Sequence, residues 1–80
     1  MEYCKAEIYE MISSVLNVDN EIIANMDEND DFSIHGMDST SAIQLIIKIE
    51  GKYDFEFKDE DLFIDKFNTL KKLLDLLTVY

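Results

Sequence analysis

The chain has 80 residues, of which 48% are hydrophobic, and its 18 acidic side chains against 7 basic ones give a formal net charge of −11. A chain of this length folds as one small domain, and its apolar content argues against disorder. The negative charge is unfavourable for contact with nucleic acid or anionic membranes. It either suits basic protein partners or only keeps a small protein soluble, and composition does not choose between the two.

A single cysteine, Cys4, rules out a disulfide within the chain, and no apolar run approaches the roughly 20 residues that a membrane span needs. The first residues lack the basic and apolar regions of a signal peptide. We therefore expect a cytoplasmic protein, and we expect it to be a monomer.

Apolar residues recur at helical spacing near the start of the chain, at Ile8, Met11, Ile12, Val15 and Leu16. They predict an amphipathic helix over about residues 3–17, with Cys4 partly buried in it. Residues 17–38 then form a long first loop with an acidic run at 27–31. A loop of this length in a small domain is usually functional or contains a short helix of its own.

A denser apolar stripe follows Ser39 and predicts a second helix that extends through Glu50. Its apolar members are Ala42, Ile43, Leu45, Ile46, Ile47 and Ile49. Only Ser41, Gln44 and Lys48 form a polar strip, so we expect this helix to be buried on most sides and to organise the core.

Residues 51–58 alternate aromatic and polar side chains with the period of a strand. Because the sequence offers no pairing strand, we predict an extended crossover that packs Tyr53, Phe55 or Phe57 against the helices. A short helix is predicted from Asp59 to Phe63, since acidic residues are favourable at a helix start.

The last apolar stripe predicts a helix that follows Asn68-Thr69, both acceptable caps, and contains Leu70, Leu73, Leu74 and Leu77. Three main helices and one short helix predict an all-α fold, a small antiparallel four-helix bundle with a long first loop. We expect residues 1–80 to form a single domain.

The segment Gly36-Met37-Asp38-Ser39 stands immediately before the second helix, with Asp38 placed as the N-cap and Ser39 as the first helical residue. Ordinary capping accounts for most such pairs. A helix N-terminus also presents unpaired N–H groups and partial positive charge, which accommodate a phosphate. The local pattern therefore permits a phosphoester on Ser39 without requiring one.

This segment and the apolar helix after it resemble the modification site of acyl and peptidyl carrier proteins, in which an Asp-Ser-Leu motif opens the second helix. The resemblance extends over nearly the whole chain, from the first amphipathic helix to the last helix. It implies that Ser39 receives phosphopantetheine from coenzyme A. It also implies that Asp38 helps to position magnesium and coenzyme A in the phosphopantetheinyl transferase.

The same resemblance implies a carrier that is not itself an enzyme. Such a carrier holds acyl intermediates as thioesters and delivers them to acyl- or aminoacyl-loading and condensing enzymes. The pathways served by the family are fatty-acid, polyketide and nonribosomal peptide biosynthesis. The exposed residues that would meet partner enzymes are Thr40, Ser41, Gln44 and Lys48. A cleft that shelters the bound chain would be bordered by Ile43, Ile46 and Ile47 with Leu62 or Phe63, although core packing is the alternative role for these side chains.

Two features depart from the family pattern. Thr40 stands where most members have Leu, and Ser41 and Gln44 stand where fatty-acid carriers usually have acids. Lys48 adds a positive charge to the same helix. These departures weaken the resemblance to fatty-acid carriers and leave the pathway open.

A calcium-binding loop is an alternative, because Asp27, Asn29 and Asp31 occupy the first, third and fifth places of a twelve-residue loop ending at Asp38. Against it, Phe32 stands where the sharp turn requires Gly, and the last position is Asp rather than Glu. A helical adaptor that binds partners without covalent modification is a third alternative.

A hydrolase is the remaining alternative, because the only histidine, His35, lies four residues before Ser39. Nothing in the sequence orients this histidine or supplies an oxyanion site. We therefore expect His35 to be a loop residue.

Overall fold

The computed structural model describes residues 2–80 and contains four α-helices and three short 3-10 helices. The α-helices are α1 (Lys5–Leu16), α2 (Asn20–Asn25), α3 (Ser39–Tyr53) and α4 (Leu70–Leu77), and the 3-10 helices are Phe32–His35, Asp59–Asp61 and Ile64–Lys66. Within the described residues there is no strand, only an isolated antiparallel bridge between Asp31 and Thr69. The prediction of an all-α bundle with three main helices is confirmed.

The core is one cluster to which every main helix contributes, and α1 packs against both α2 and α3. Its buried hydrophobic members are Ile8, Ile12, Ile23, Phe32, Met37, Ala42, Leu45, Ile46, Ile49, Phe57, Phe67, Leu70, Leu73 and Leu77. Each of the three main helices buries residues spaced three or four apart, as amphipathic helices do.

The short α-helix lies in the first loop, at Asn20–Asn25, and not at the predicted position after Lys58. The length of the first loop is consistent with a short helix inside it. Helix α2 buries Ile23 in the core, whereas the 3-10 turn Asp59–Asp61 buries no residue. A short helix depends on tertiary packing for its stability, so the segment with a buried anchor forms an α-helix and the acidic segment forms a single turn.

Helix α3 differs from its prediction in length and burial. It continues past Glu50 to Tyr53 and ends at Asp54, which has the left-handed conformation with φ 55° and ψ 57°. Only one face is buried, and Ile43 and Ile47 are 46% and 60% exposed. The expectation that this helix is buried on most sides is therefore wrong, because its neighbours cover one side only.

The extended crossover is shorter than predicted, because residues 51–53 belong to α3, but its aromatic residues pack against the helices as predicted. Phe57 is buried and its N–H donates a 2.8 Å hydrogen bond to the Glu50 carboxylate. The rings of Phe55, Phe57 and Tyr80 form a cluster with centroid separations of 4.8 to 5.2 Å. The Tyr80 hydroxyl accepts a hydrogen bond from the Lys58 N–H and donates one to Asp61, so this residue fixes the crossover from the other end of the chain.

Cys4 is exposed and lies just outside α1, so the expectation of a partly buried helical cysteine is wrong. The helix begins one residue later, at Lys5, and the Cys4 N–H donates to the Tyr53 hydroxyl at 3.3 Å. Apolar spacing does not fix the first residue of a helix, because end positions depend on local capping.

The long first loop is anchored to the start of α4 by Phe32. Its side chain is fully buried, and its N–H donates to the Asn68 carbonyl at 2.8 Å. The Asp31 carboxylate also accepts a 2.8 Å hydrogen bond from the Asn68 side chain. These contacts hold the loop that leads to Ser39 against the bundle.

Phe32 is therefore expected to contribute strongly to folding. Replacing it in Phe32→Ala should lower the free energy of unfolding by about 3–5 kcal/mol, because the change leaves a cavity in the core. Urea unfolding followed by circular dichroism measures this loss. The matched control is Ile34→Ala in the same 3-10 helix, where the side chain is 60% exposed and the change should stay within about 0.5 kcal/mol. Equal losses in the two variants would contradict the anchoring role.

Candidate functional site

Ser39 is the first residue of α3 and is exposed to solvent. Among residues 2–80, no side chain or backbone group forms a hydrogen bond with its hydroxyl. The first-turn N–H groups of a helix have no partner within the helix, and partial positive charge accumulates at this end. The hydroxyl is therefore accessible, and its surroundings suit a negatively charged substituent.

A reciprocal pair of hydrogen bonds fixes the start of α3. The Asp38 carboxylate accepts from the Ser41 N–H at 2.9 Å, and the Ser41 hydroxyl accepts from the Asp38 N–H at 2.9 Å. This is a capping box with Asp and Ser in the two places. Ser39 lies between the two capping residues, so its backbone position follows from theirs.

The capping bonds also set the charge beside Ser39. The Ser41 backbone N–H, and then its hydroxyl, lower the pKa of the Asp38 carboxyl below its ordinary value, against a small opposing effect of burial. Asp38 is therefore ionised at neutral pH. The capping bonds use Oδ1, which leaves Oδ2 outside the cap.

The predicted docking residues separate into two groups. Thr40, Gln44 and Lys48 are exposed on α3. Ser41 is half-buried, and its hydroxyl both accepts from and donates to Asp38. The structure therefore shows Ser41 as part of the cap.

The residues predicted to border a cleft differ in burial. Ile46 belongs to the core at 3% exposure, and Leu62 is half-buried. Phe63 is 63% exposed, and Ile43 and Ile47 project into solvent. Residues four apart lie on one face of a helix, so Ser39, Ile43 and Ile47 form a single line along α3. We call Ile43 and Ile47 the apolar stripe.

A groove at the far end of α3 was not foreseen from the sequence. Its volume is about 530 Å³, and it is lined by Ile47, Glu50, Gly51, Asp54, Phe55 and Glu56. Gly51 has no atom within 4 Å of the place where a Cβ would stand, so a missing side chain leaves open space there. A glycine inside a helix is the one signal in the sequence that indicated this space.

The calcium alternative finds no support in the loop geometry. The Asp27 carboxylate accepts a 2.8 Å hydrogen bond from the Asn29 N–H, and Asp31 accepts one from the Ser33 N–H at 2.8 Å. The Ser33 backbone bond is the main cause of the lowered pKa of Asp31. Over residues 2–80, no three His, Cys, Asp or Glu side chains stand close enough together to hold a metal ion. These acids act as acceptors for turns and caps.

His35 is half-buried at the end of the 3-10 helix Phe32–His35, a short turn within the first loop. In the described part of the chain, no hydrogen bond joins His35 to Ser39. The pairing that a serine hydrolase requires is not formed.

Comparison with known proteins identifies the family. A family model described as a phosphopantetheine attachment site matches residues 6–77. The acyl carrier protein of Buchnera aphidicola subsp. Schizaphis graminum (strain Sg) is 37% identical over 76 residues, which cover 94% of this chain and 90% of that protein. The chain belongs to the acyl carrier protein family.

The cofactor of the present chain, as a member of this family, is a covalently attached phosphopantetheine. The N-terminus of α3 at Ser39 fits such a group, because the hydroxyl is exposed and the neighbouring N–H groups can face a phosphodiester. None of the helices in residues 2–80 has the length and apolar character to cross a membrane. Acyl carrier proteins are carriers and not catalysts.

The Asp38 cap predicts a pH dependence of stability. Because the folded-state pKa of Asp38 lies below the unfolded value, its stabilising effect is present above the unfolded pKa of about 4 and is lost as the pH falls through the folded value. Asn is as good an N-cap as Asp but does not ionise. In urea unfolding of the unmodified protein, the stability of wild type relative to Asp38→Asn should therefore fall below about pH 4.

The matched control for this measurement is Asp19→Asn. Asp19 precedes α2 at the same position, but its side chain makes no capping hydrogen bond. The variant removes one negative charge as Asp38→Asn does. A constant difference between wild type and Asp38→Asn down to about pH 2.5 would show that the capping bond is not formed in solution.

Proposed function

We propose that Ser39 is the residue to which phosphopantetheine is attached, and that the protein carries acyl intermediates as thioesters on this arm. The observation that supports this most is the exposed hydroxyl of Ser39, held at the start of α3 by the Asp38–Ser41 cap. Ser39 also lies within the region matched by the attachment-site family. The protein itself performs no bond making, and its partners supply the chemistry.

The chain's own residues have defined roles in receiving the arm. The Ser39 Oγ attacks the phosphorus atom that bears the pantetheine arm of coenzyme A. The phosphoanhydride bond breaks, adenosine 3′,5′-bisphosphate leaves, and a base of the transferase takes the hydroxyl proton. The first-turn N–H groups of α3 face the resulting phosphodiester. Asp38, ionised and with Oδ2 outside the cap, would be available to help position the magnesium ion of the transferase. Once attached, the arm supplies a thiol that forms the thioester.

The surface that partner enzymes contact is proposed to be the exposed side of α3 from Thr40 to Lys48. We call Thr40, Gln44 and Lys48 together with the apolar stripe the docking surface; all five residues are exposed. Ser41 supports this surface by holding the start of the helix. Partners include the phosphopantetheinyl transferase and the acyl- or aminoacyl-loading and condensing enzymes.

The composition of the docking surface bears on the biosynthetic pathway that the protein serves. Delivery to fatty-acid, polyketide or nonribosomal peptide biosynthesis is consistent with the family. Apart from Lys48, the exposed side chains from Ser39 to Lys48 carry no charge. This distinguishes the carrier from fatty-acid carriers, whose surface is acidic, and favours a specialised pathway. We propose that it acts as a monomer in the cytoplasm.

Loading at Ser39 is tested directly by intact mass. The unmodified protein, incubated with coenzyme A, magnesium and a broad-specificity phosphopantetheinyl transferase, should gain the mass of one phosphopantetheine. Ser39→Ala should gain none, because it lacks the nucleophile. Ser33→Ala is the matched control, since Ser33 is also exposed and lies six positions earlier, and it should load as wild type does. Loading of Ser39→Ala would place the arm on another residue.

The docking surface predicts an effect of Lys48. A basic partner is repelled by this residue, so Lys48→Glu should raise kcat/KM for loading roughly two- to tenfold at low salt, and the gain should fall as salt screens it. Initial rates of coenzyme A transfer measure this. Lys5→Glu makes the same charge change at an exposed site on α1 and should have a much smaller effect. Equal gains in both variants would argue for net charge alone.

A further inference from the structure

The groove at the end of α3 has the form of a shallow binding site. Helix α3 forms one wall, with Ile47, Glu50 and Gly51, and the chain leaving the helix forms the other, with Asp54, Phe55 and Glu56. The second wall is held in place, because the Glu50 carboxylate accepts from the Phe57 N–H and the Phe55 ring packs on Tyr80.

The groove lies within reach of the thiol end of a phosphopantetheine arm attached to Ser39. At about 1.5 Å of rise per residue, Ile47 is about 12 Å and Gly51 about 18 Å along the helix from Ser39. From Oγ to sulfur a phosphopantetheine has about 14 bonds, which at the extended-chain reach of roughly 3.5 Å per three bonds span about 16 Å. An arm lying on the apolar stripe therefore brings its thioester between Ile47 and Gly51.

The charges around the groove select a kind of cargo. Three carboxylates line it, and none of the six lining residues is basic. The nearest lysine on the last turn of α3, Lys52, is paired with Glu7 at 3.5 Å. A short acyl group can contact Ile47 and Phe55, while a cationic amine on that group meets Asp54 and Glu56. A simple fatty acyl chain would gain nothing from these carboxylates.

The geometry points to a cargo site in this groove for a short acyl group that bears an amine, such as an aminoacyl group, with the arm lying along Ile43 and Ile47. This inference rests on the attachment of the arm to Ser39. The apolar stripe contacts the arm, and Ile47 and Phe55 contact the acyl carbon atoms. Asp54 and Glu56 face the ammonium group. Glu50 keeps its role in holding the crossover.

The test compares two cargoes of nearly equal size, propionyl and alanyl, joined to the arm by stable amide links. Each is transferred to ¹⁵N-labelled protein from the corresponding coenzyme A analogue, and loading is verified by intact mass. Backbone amide shifts are then compared with those of the protein carrying the free arm. The alanyl group should shift the amides of Gly51, Asp54 and Phe55 roughly two- to fivefold more than propionyl does, which is the preference that an exposed ion pair supplies.

Two variants of equal charge separate the groove from the general acidity of the protein. Asp54→Asn/Glu56→Gln should remove the difference between the two cargoes, and so should raising the salt from about 0.05 M to about 0.5 M. Asp59→Asn/Glu60→Gln, at exposed positions outside the groove lining, should keep the difference.

The outcomes distinguish this inference from the proposed function. If the protein gains no mass, the assignment of Ser39 fails first. If it gains the arm but propionyl and alanyl shift the groove amides equally, the carrier function stands and the amine site is overturned. Shifts confined to buried residues such as Leu45 and Ile49 would also overturn it, because they would place the cargo inside the bundle.

Discussion

The reciprocal hydrogen bonds between Asp38 and Ser41 fix the residue at which α3 begins, and the exposure of Ser39 depends on that boundary. On the N-terminal side, the buried side chains of Phe32 and Met37 hold the preceding loop to the core. On the C-terminal side, the helix is anchored by its buried face. An irregular loop and a regular helix therefore meet at a defined point, and the hydroxyl between them stays in solvent without a competing partner.

The negative charge of the protein is distributed unevenly around this point. Most of the 18 acids lie in the first loop and in residues 50–61, whereas α3 from Ser39 to Lys48 has none. Glu50 is about 16 Å along the helix from Ser39, which is twice the Debye length of about 8 Å at physiological ionic strength. Glu50 therefore contributes little beside Ser39, where the proposed docking surface consists of apolar and neutral polar side chains and Lys48. Asp38 is the acid that adjoins Ser39, and its charge is stabilised by the cap.

Sequence reasoning found the features that repeat along the chain or depend on a few neighbouring residues. The apolar period of the main helices, the Asp38-Ser39 boundary and the packing of aromatic residues after the second helix were all visible in this way. It failed where distant parts of the chain decide the outcome. Ile43 and Ile46 are equivalent in hydropathy, and only the placement of the neighbouring helices leaves one exposed and buries the other. The groove required the left-handed turn at Asp54 and the return of Tyr80 to the crossover, neither of which has a local sequence pattern.

The docking surface and the track proposed for the arm share the exposed side chains of Ile43 and Ile47. A partner enzyme that covers these residues therefore displaces an arm lying on them. Because the two contacts exclude one another, each weakens the other by the same free energy, as linkage requires. Docking of the partner then frees the thioester from the groove at the moment when the enzyme needs it. A shallow, open groove suits this exchange better than a closed interior cavity, because the cargo can leave without any opening of the bundle.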